Sequence, residues 1–295
     1  MDYWASDNSD SNVPTIPFLE KEVTYDPSED SGERSLGTCR LGEPERIVDV
    51  VFEWRPSTRP DNLVNILEYV HDEVALENDW LRPEDVYTLP IIGILEEKDR
   101  HAIAYDWPGP LLNLHDVIRK TKIPSARVRR HLASLVANKV RSMQVHHRFN
   151  HMALRTESFV FERQFDSEVP DLKHVYVLDW GRSPSPSVYQ HPKYRKNESR
   201  WYYDTWSLLM VLSEIAEWKQ IDGNFQNKVE LSKKRTSRKE QMIDENWTGS
   251  RTSNFFNSAF QFLELDLWTL DTLPERNIKR YYNQLCKVLD VNFLE

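Results

Sequence analysis

His147 and His151 stand four residues apart with His146 beside them, a spacing that sets two imidazoles on one helical face and so suits a zinc ion. A zinc hydrolase of the H-E-x-x-H kind also needs a glutamate after its first histidine to act as the base, and Arg148 occupies that place. The pair is therefore read as structural, with His151 expected to bond a backbone group near a short strand. Asp179 closes the apolar run that begins at Val175 and is followed by Trp180-Gly181. A carboxylate at a strand end either closes a turn or holds a divalent cation. The run Lys233-Lys234-Arg235-Thr236-Ser237-Arg238-Lys239 reads first as a solvated loop, with a nuclear import signal, a docking loop and phosphorylation at Thr236 or Ser237 as the sharper alternatives.

The elements that must hold these groups follow from periodicity. Ile47 to Trp54 is β-branched and apolar with Pro56 behind it, which predicts a strand at the centre of a small sheet. Leu63, Ile66, Leu67, Val70 and Val74 keep the helical period, with Asp61 or Asn62 as N-cap, and Glu68 and Glu73 on that helix read first as surface charges, either of which could face Arg55 in an ion pair. Pro90 to Leu95 and His101 to Trp107 flank a charged turn and predict a hairpin, after which Pro108-Gly109-Pro110 breaks the chain. From Leu111 the pattern turns helical. Ser125 caps a helix with Val128, Leu132, Leu135, Val136 and Val140 on one face, and Ser158 to Phe161 and Val175 to Asp179 form two short strands. Further helices are predicted over 204–219, apolar nearly all round and so buried, and over 255–269 and 274–290.

With 39% hydrophobic residues the chain can bury a large core. The net charge of -9 argues against a nucleic-acid face, and two cysteines, Cys39 and Cys286, supply no disulfide framework. No secretory leader and no membrane helix is expected.

Four segments in fixed order carry a resemblance. His151-Met152-Ala153-Leu154-Arg155-Thr156-Glu157-Ser158 resembles the kinase series H-R-D-L-K-P-E-N in unbroken register, and Asp179-Trp180-Gly181 resembles D-F-G. His191-Pro192-Lys193-Tyr194 resembles the A-P-E step, and Asp204-Thr205-Trp206-Ser207-Leu208 the D-x-W-S-L opening of the central C-lobe helix. Upstream, Arg55 falls where the strand lysine would contact ATP, and Tyr105, Asp106 and Trp107 where the interlobe hinge would run. On these residues the chain is similar to divergent protein-kinase-like proteins of filamentous fungi. The resemblance implies an α+β, two-lobe protein-kinase-like fold. It comprises a flexible acidic arm over 1–34, a reduced β-rich N-lobe and hinge over 35–108, and a helical C-lobe over 109–295 with a polar insert at 222–254.

The departures from the pattern decide what the resemblance implies about activity. Ala153 stands at the position of the catalytic aspartate and has no group to orient a hydroxyl proton; Ser158 stands at the position of the metal-binding asparagine. Arg55 replaces the strand lysine with a wider fork, only Gly37 and Gly42 precede it where a glycine-rich loop belongs, and Lys193 replaces the glutamate of A-P-E, leaving Arg276 and Arg280 without that partner. Ser183 to Ser187 with two prolines predict a short, extended loop. The resemblance thus implies no catalytic residue, a vestigial cleft and hinge at Arg55, Tyr105, Asp106 and Trp107, and Asp179 as the one remaining Mg²⁺ ligand. The cofactor is none, or Mg·ATP held weakly. The implied protein is a pseudokinase, a scaffold or regulator that acts through an unidentified protein partner, in the cytoplasm or the nucleus. The alternative is an active, atypical Ser/Thr kinase in which Asp166 or Glu157 replaces the missing base.

Overall fold

A computed structural model describes residues 16–19, 23–25, 34–41, 46–55, 63–75, 88–107, 109, 111–162, 174–181, 188–195, 198–221, 225, 227–242 and 245–290. The chain divides into two units, residues 1–77 with 90–107, and 78–89 with 108–295.

The first unit is a five-stranded antiparallel sheet in the order β1-β2-β3-β5-β4, built from β1 (Val23–Tyr25), β2 (Arg34–Leu41), β3 (Arg46–Arg55), β4 (Ile91–Glu96) and β5 (His101–Asp106). Its middle strand is β3, as the apolar run predicts. Strand alternation sends Val48, Val50, Phe52 and Trp54 to one face, where they pack with Cys39, Ala102 and Ala104. Helix α1 (Leu63–Ala75) follows β3, with Leu63, Leu67 and Val70 buried at helical spacing; its expected caps Asp61 and Asn62 lie outside the described residues.

Composition alone predicts a flexible arm over 1–34, yet part of that span is packed. Val23–Tyr25 pairs with Gly37–Cys39, Tyr25 lies against Trp54 at 4.9 Å between ring centroids, Phe18 bridges Ile94, and Ile16 is buried. A few apolar residues spaced to meet an open sheet edge suffice, and average composition hides them. Gly37 serves this packing: a Cβ there would lie 2.3 Å from the Thr24 carbonyl and 2.8 Å from the Phe52 ring. It is a close-approach glycine within a ladder. Gly42 lies outside the described residues.

The second unit is largely helical around a small sheet of β6 (Leu111–Asn113), β7 (Phe159–Glu162) and β8 (Val175–Val177), in the order β6-β7-β8. Its helices are α2 (Leu114–Lys120), α3 (Ala126–Arg141), α4 (Trp201–Glu217), α5 (Lys228–Met242), α6 (Glu245–Leu263), α7 (Leu267–Asp271) and α8 (Glu275–Leu289). Ser125 accepts the Val128 N–H at 3.4 Å, as a cap does. Val128 itself is exposed, because the buried stripe of α3 runs through Leu132, Ala133, Val136, Ala137 and Val140. Helix α4 is buried from Tyr202 to Ala216, the central element its all-round apolarity predicts.

The segment read as a solvated loop, Lys233 to Lys239, is helix. Asn227 accepts the N–H groups of Val229 and Glu230, both at 3.0 Å, and so starts α5. Arg238 turns inward and donates to the carbonyls of Lys219 and Gln220, both at 3.0 Å, just past the end of α4. Arg235 donates to the Gln190 carbonyl at 2.5 Å. A basic run can thus be an internal fastener when its cations sit at helical spacing opposite unsatisfied carbonyls. Among the described residues no helix is long and apolar enough to cross a membrane.

Candidate functional site

The segments that carry chemistry in the second unit are positioned by the end of α3 and the start of α4. Helix α3 widens into one π-type turn, Ser142–His146, from which the chain leaves with Arg148 and Met152 in the left-handed region at φ 53° and 65°. Such a path leaves N–H groups pointing inward, and Asp204 in the first turn of α4 collects them. Its Oδ2 accepts the His151 N–H at 2.5 Å and the Gln144 amide at 3.0 Å, and its Oδ1 accepts the Met152 N–H at 2.7 Å. Burial pushes this carboxyl up to about 7, against the pull of the Met152, His151 and Gln144 donors.

His151 joins the two strand-end segments. Its Nδ1 accepts the Ala153 N–H at 3.2 Å, so its Nε2 carries the proton and donates to the Leu178 carbonyl at 2.7 Å. Both ring nitrogens are occupied, which leaves neither for a zinc ion, and the expected bond to backbone near the second strand is present. His147 is buried beside the π turn, and among the described residues no group of three or more His, Cys, Asp or Glu could hold a metal.

Ala153, Ser158 and Asp179, singled out from the sequence, are brought together. The Leu178 N–H donates to the Ser158 carbonyl at 2.9 Å, and the Ser158 hydroxyl lies 3.0 Å from Asp179 Oδ2 and 3.2 Å from the Ala153 carbonyl, to one of which it donates at a time. Asp179 is fully buried with φ 70°, a conformation that a non-glycine residue holds only where its surroundings impose it. Arg155 supplies its counter-charge, with Nε at 3.4 Å and Nη2 at 3.5 Å from Oδ2. The periodic reading missed Arg155, although it stands at the lysine position of the H-R-D-L-K-P-E-N register. Asp179 Oδ2 already faces a guanidinium and a hydroxyl, and Ser158 offers a Mg²⁺ only a short neutral ligand where an amide would reach further, a poor fit for a resident ion. Glu157, one candidate substitute base, lies 3.5 Å from His115 and 3.9 Å from Arg155; the other, Asp166, lies outside the described residues.

Around this core the following segment is hooked onto helices. His191 Nε2 donates to the Leu263 carbonyl at 2.8 Å, and burial holds this ring neutral down to about 4. Lys193 donates to the Glu264 and Leu265 carbonyls at 3.1 and 2.7 Å, capping α6. The residue that departs from the A-P-E pattern therefore has its own structural use, while Arg276 and Arg280 stay exposed on α8. The stretch Ser183 to Ser187 lies outside the described residues.

A second buried acid was not visible in the sequence. Glu214 accepts the Ile221 N–H at 2.6 Å and the Tyr189 hydroxyl at 2.8 Å, and burial raises it from 4.5 to about 7. The folded chain keeps this proton to higher pH than the unfolded chain, so the site's contribution to stability falls as pH rises from about 4.5 to about 7. His191 acts oppositely below its ordinary value, which makes the comparison with a variant the clean readout. Glu214→Gln should leave stability near wild type at pH 5 and gain on wild type by pH 8. The relative change is roughly 3 kcal/mol, read from urea unfolding at both pH values. A difference between the two proteins that stays constant with pH would mean that Glu214 ionises normally.

In the first unit, Arg55 finds its partner on its own strand. Its Nη2 donates to Glu53 Oε1 at 2.5 Å, and of the two helix glutamates that could face it the Glu73 side chain lies outside the described residues. Arg55 stands opposite His101, while Tyr105 and Asp106 stand opposite Val51 and Val50 at the far end of the same ladder. At about 3.4 Å per residue, the sheet separates Arg55 from Tyr105 and Asp106 by well over a side chain's reach. Tyr105 is buried, and the Asp106 and Trp107 N–H groups donate to the Pro90 and Asp49 carbonyls at 2.9 and 3.4 Å.

No protein-family model matches the chain, and no curated protein matches it.

Proposed function

We propose that this chain is a protein-kinase-fold pseudoenzyme that acts through protein contacts and transfers no phosphate. One observation carries the reading: the carboxylate at the D-F-G position, Asp179, is fully buried and occupied by Arg155 and Ser158, beside an alanine where the base belongs. Phosphoryl transfer depends on positioning and on cations that neutralise developing charge, and a carboxylate already matched to an arginine supplies neither. The kinase part of the proposal draws on three further observations. Asp204 of the D-x-W-S-L segment bonds directly to the His151 segment, His151 bonds to the residue before Asp179, and a five-stranded sheet carries a helix after the strand that ends on Arg55, the order in which kinases carry their strand lysine and helix αC. The two-lobe arrangement belongs to this proposal.

The test is thermal unfolding with and without saturating Mg·ATP. A ligand that binds only the folded state raises stability by RT ln(1 + [L]/Kd). The expected result is a shift below one degree. A shift of several degrees that needs Mg²⁺ and disappears in Asp179→Asn would favour the active atypical kinase instead.

A further inference from the structure

Helices α6 and α8 enclose an open groove of about 760 Å³ whose floor is aromatic and whose rim is basic. Phe262 stacks on Tyr281 at 5.5 Å with 23° between the rings, Phe255 meets the same ring at 6.3 Å, and Val288 closes the apolar floor. Arg280 and Lys287 are exposed along the edge, and none of the described lining residues is acidic. This runs against the chain's overall charge of -9, so the rim is not a sample of the average surface. Tyr281 is 8% exposed and its hydroxyl meets no hydrogen-bond partner among the described residues. A phenol buried in that way costs stability in the free protein.

We propose that this groove binds an amphipathic, acidic segment of a partner protein, with apolar side chains on Phe255, Phe262 and Tyr281 and carboxylates at Arg280 and Lys287. The volume suits a few side chains rather than a whole domain face, and a helix or short peptide laid between two helices is a recurrent mode of recognition. The assignment deepens the reading of the chain as a contact protein and rests on it for its biological meaning.

The probe is a fluorescently labelled synthetic helix with Leu and Phe on one face and Glu on the other, titrated with the full chain and read by anisotropy. A twin with Lys in place of Glu serves as control. The Glu peptide should bind and the Lys twin should bind about tenfold more weakly or not at all. The double variant Arg280→Glu, Lys287→Glu changes only exposed side chains, so its circular dichroism should match wild type while its preference between the two peptides reverses. Tyr281→Phe should raise the melting temperature of the free protein and leave the preference for the Glu peptide intact, because the ring that floors the groove is kept. Equal binding of the twins, no binding of the Glu peptide, or indifference to the charge reversal overturns the proposal. A phosphoryl-transfer assay on the same preparation separates the two failures. Turnover would sink the pseudoenzyme reading and leave the peptide result standing, whereas absent turnover with absent binding would sink the groove alone.

Discussion

Asp204→Ala should destabilise the second unit by about 3 kcal/mol or more, the largest effect of any single polar substitution described above. Three donors lose their acceptor at once: the N–H groups of His151 and Met152 and the amide of Gln144. Both N–H groups belong to a stretch with Met152 at positive φ, which no helix or sheet ladder can satisfy instead. Part of the loss is returned, since the buried carboxyl itself is costly to hold ionised, as its rise to about 7 indicates. Asp204→Asn offers one acceptor oxygen and one misplaced donor, so it should fall between alanine and wild type. Urea unfolding at constant slope measures both. An alanine variant within 1 kcal/mol of wild type would mean that water replaces the carboxylate and that the His151 segment does not hang on α4.

Arg155→Met should be nearly as damaging and should create a response that wild type lacks. Removing the guanidinium leaves Asp179 buried beside the neutral Ser158 hydroxyl, and a broken buried pair costs about 3 kcal/mol or more. The Arg155 side chain is 15% exposed, so solvent recovers some of that cost. In the variant a divalent cation has an uncompensated carboxylate to meet. Millimolar Mg²⁺ or Mn²⁺ should therefore raise the melting temperature of Arg155→Met and leave wild type unmoved. Arg155→Met with Asp179→Asn should recover most of the lost stability and lose the metal response. Equal metal responses in wild type and single variant would show that Arg155 does not occupy the cation's place.

The legible parts of the sequence were those governed by one period. The strand at Ile47 to Trp54, the hairpin around Glu97 to Arg100, the buried α4 and the bond of His151 to backbone each follow from alternation, helical spacing or side-chain chemistry at one position. Where two patterns overlapped, reading failed. Polar residues over 222–254 gave no apolar stripe, because α5 is held by a few long side chains such as Arg235 and Arg238 that reach carbonyls at 2.5 and 3.0 Å. The helix expected over 255–269 is two, because Asp266 accepts the Thr269 N–H at 2.9 Å and starts α7 after a break. At the candidate site, residue types singled out Ala153 and Ser158 as departures from the kinase pattern and Asp179 as the position that keeps it. Pairing was invisible: that Arg155 faces Asp179, that Glu53 claims Arg55 and that Glu214 lies under Tyr189 are facts of tertiary contact.

The inward turn of Arg235 and Arg238 bears on how the run at 233–239 can be read by other molecules. A receptor that takes such a run as an extended strand would have to unwind α5, draw both arginines from their carbonyls and expose the last turn of α4. The same holds for a kinase acting on Ser237, which adjoins Arg238 in the helix. Any address or mark read here as an extended strand is therefore withheld while the helix is folded, and the reader's affinity is reduced by the opening free energy of α5.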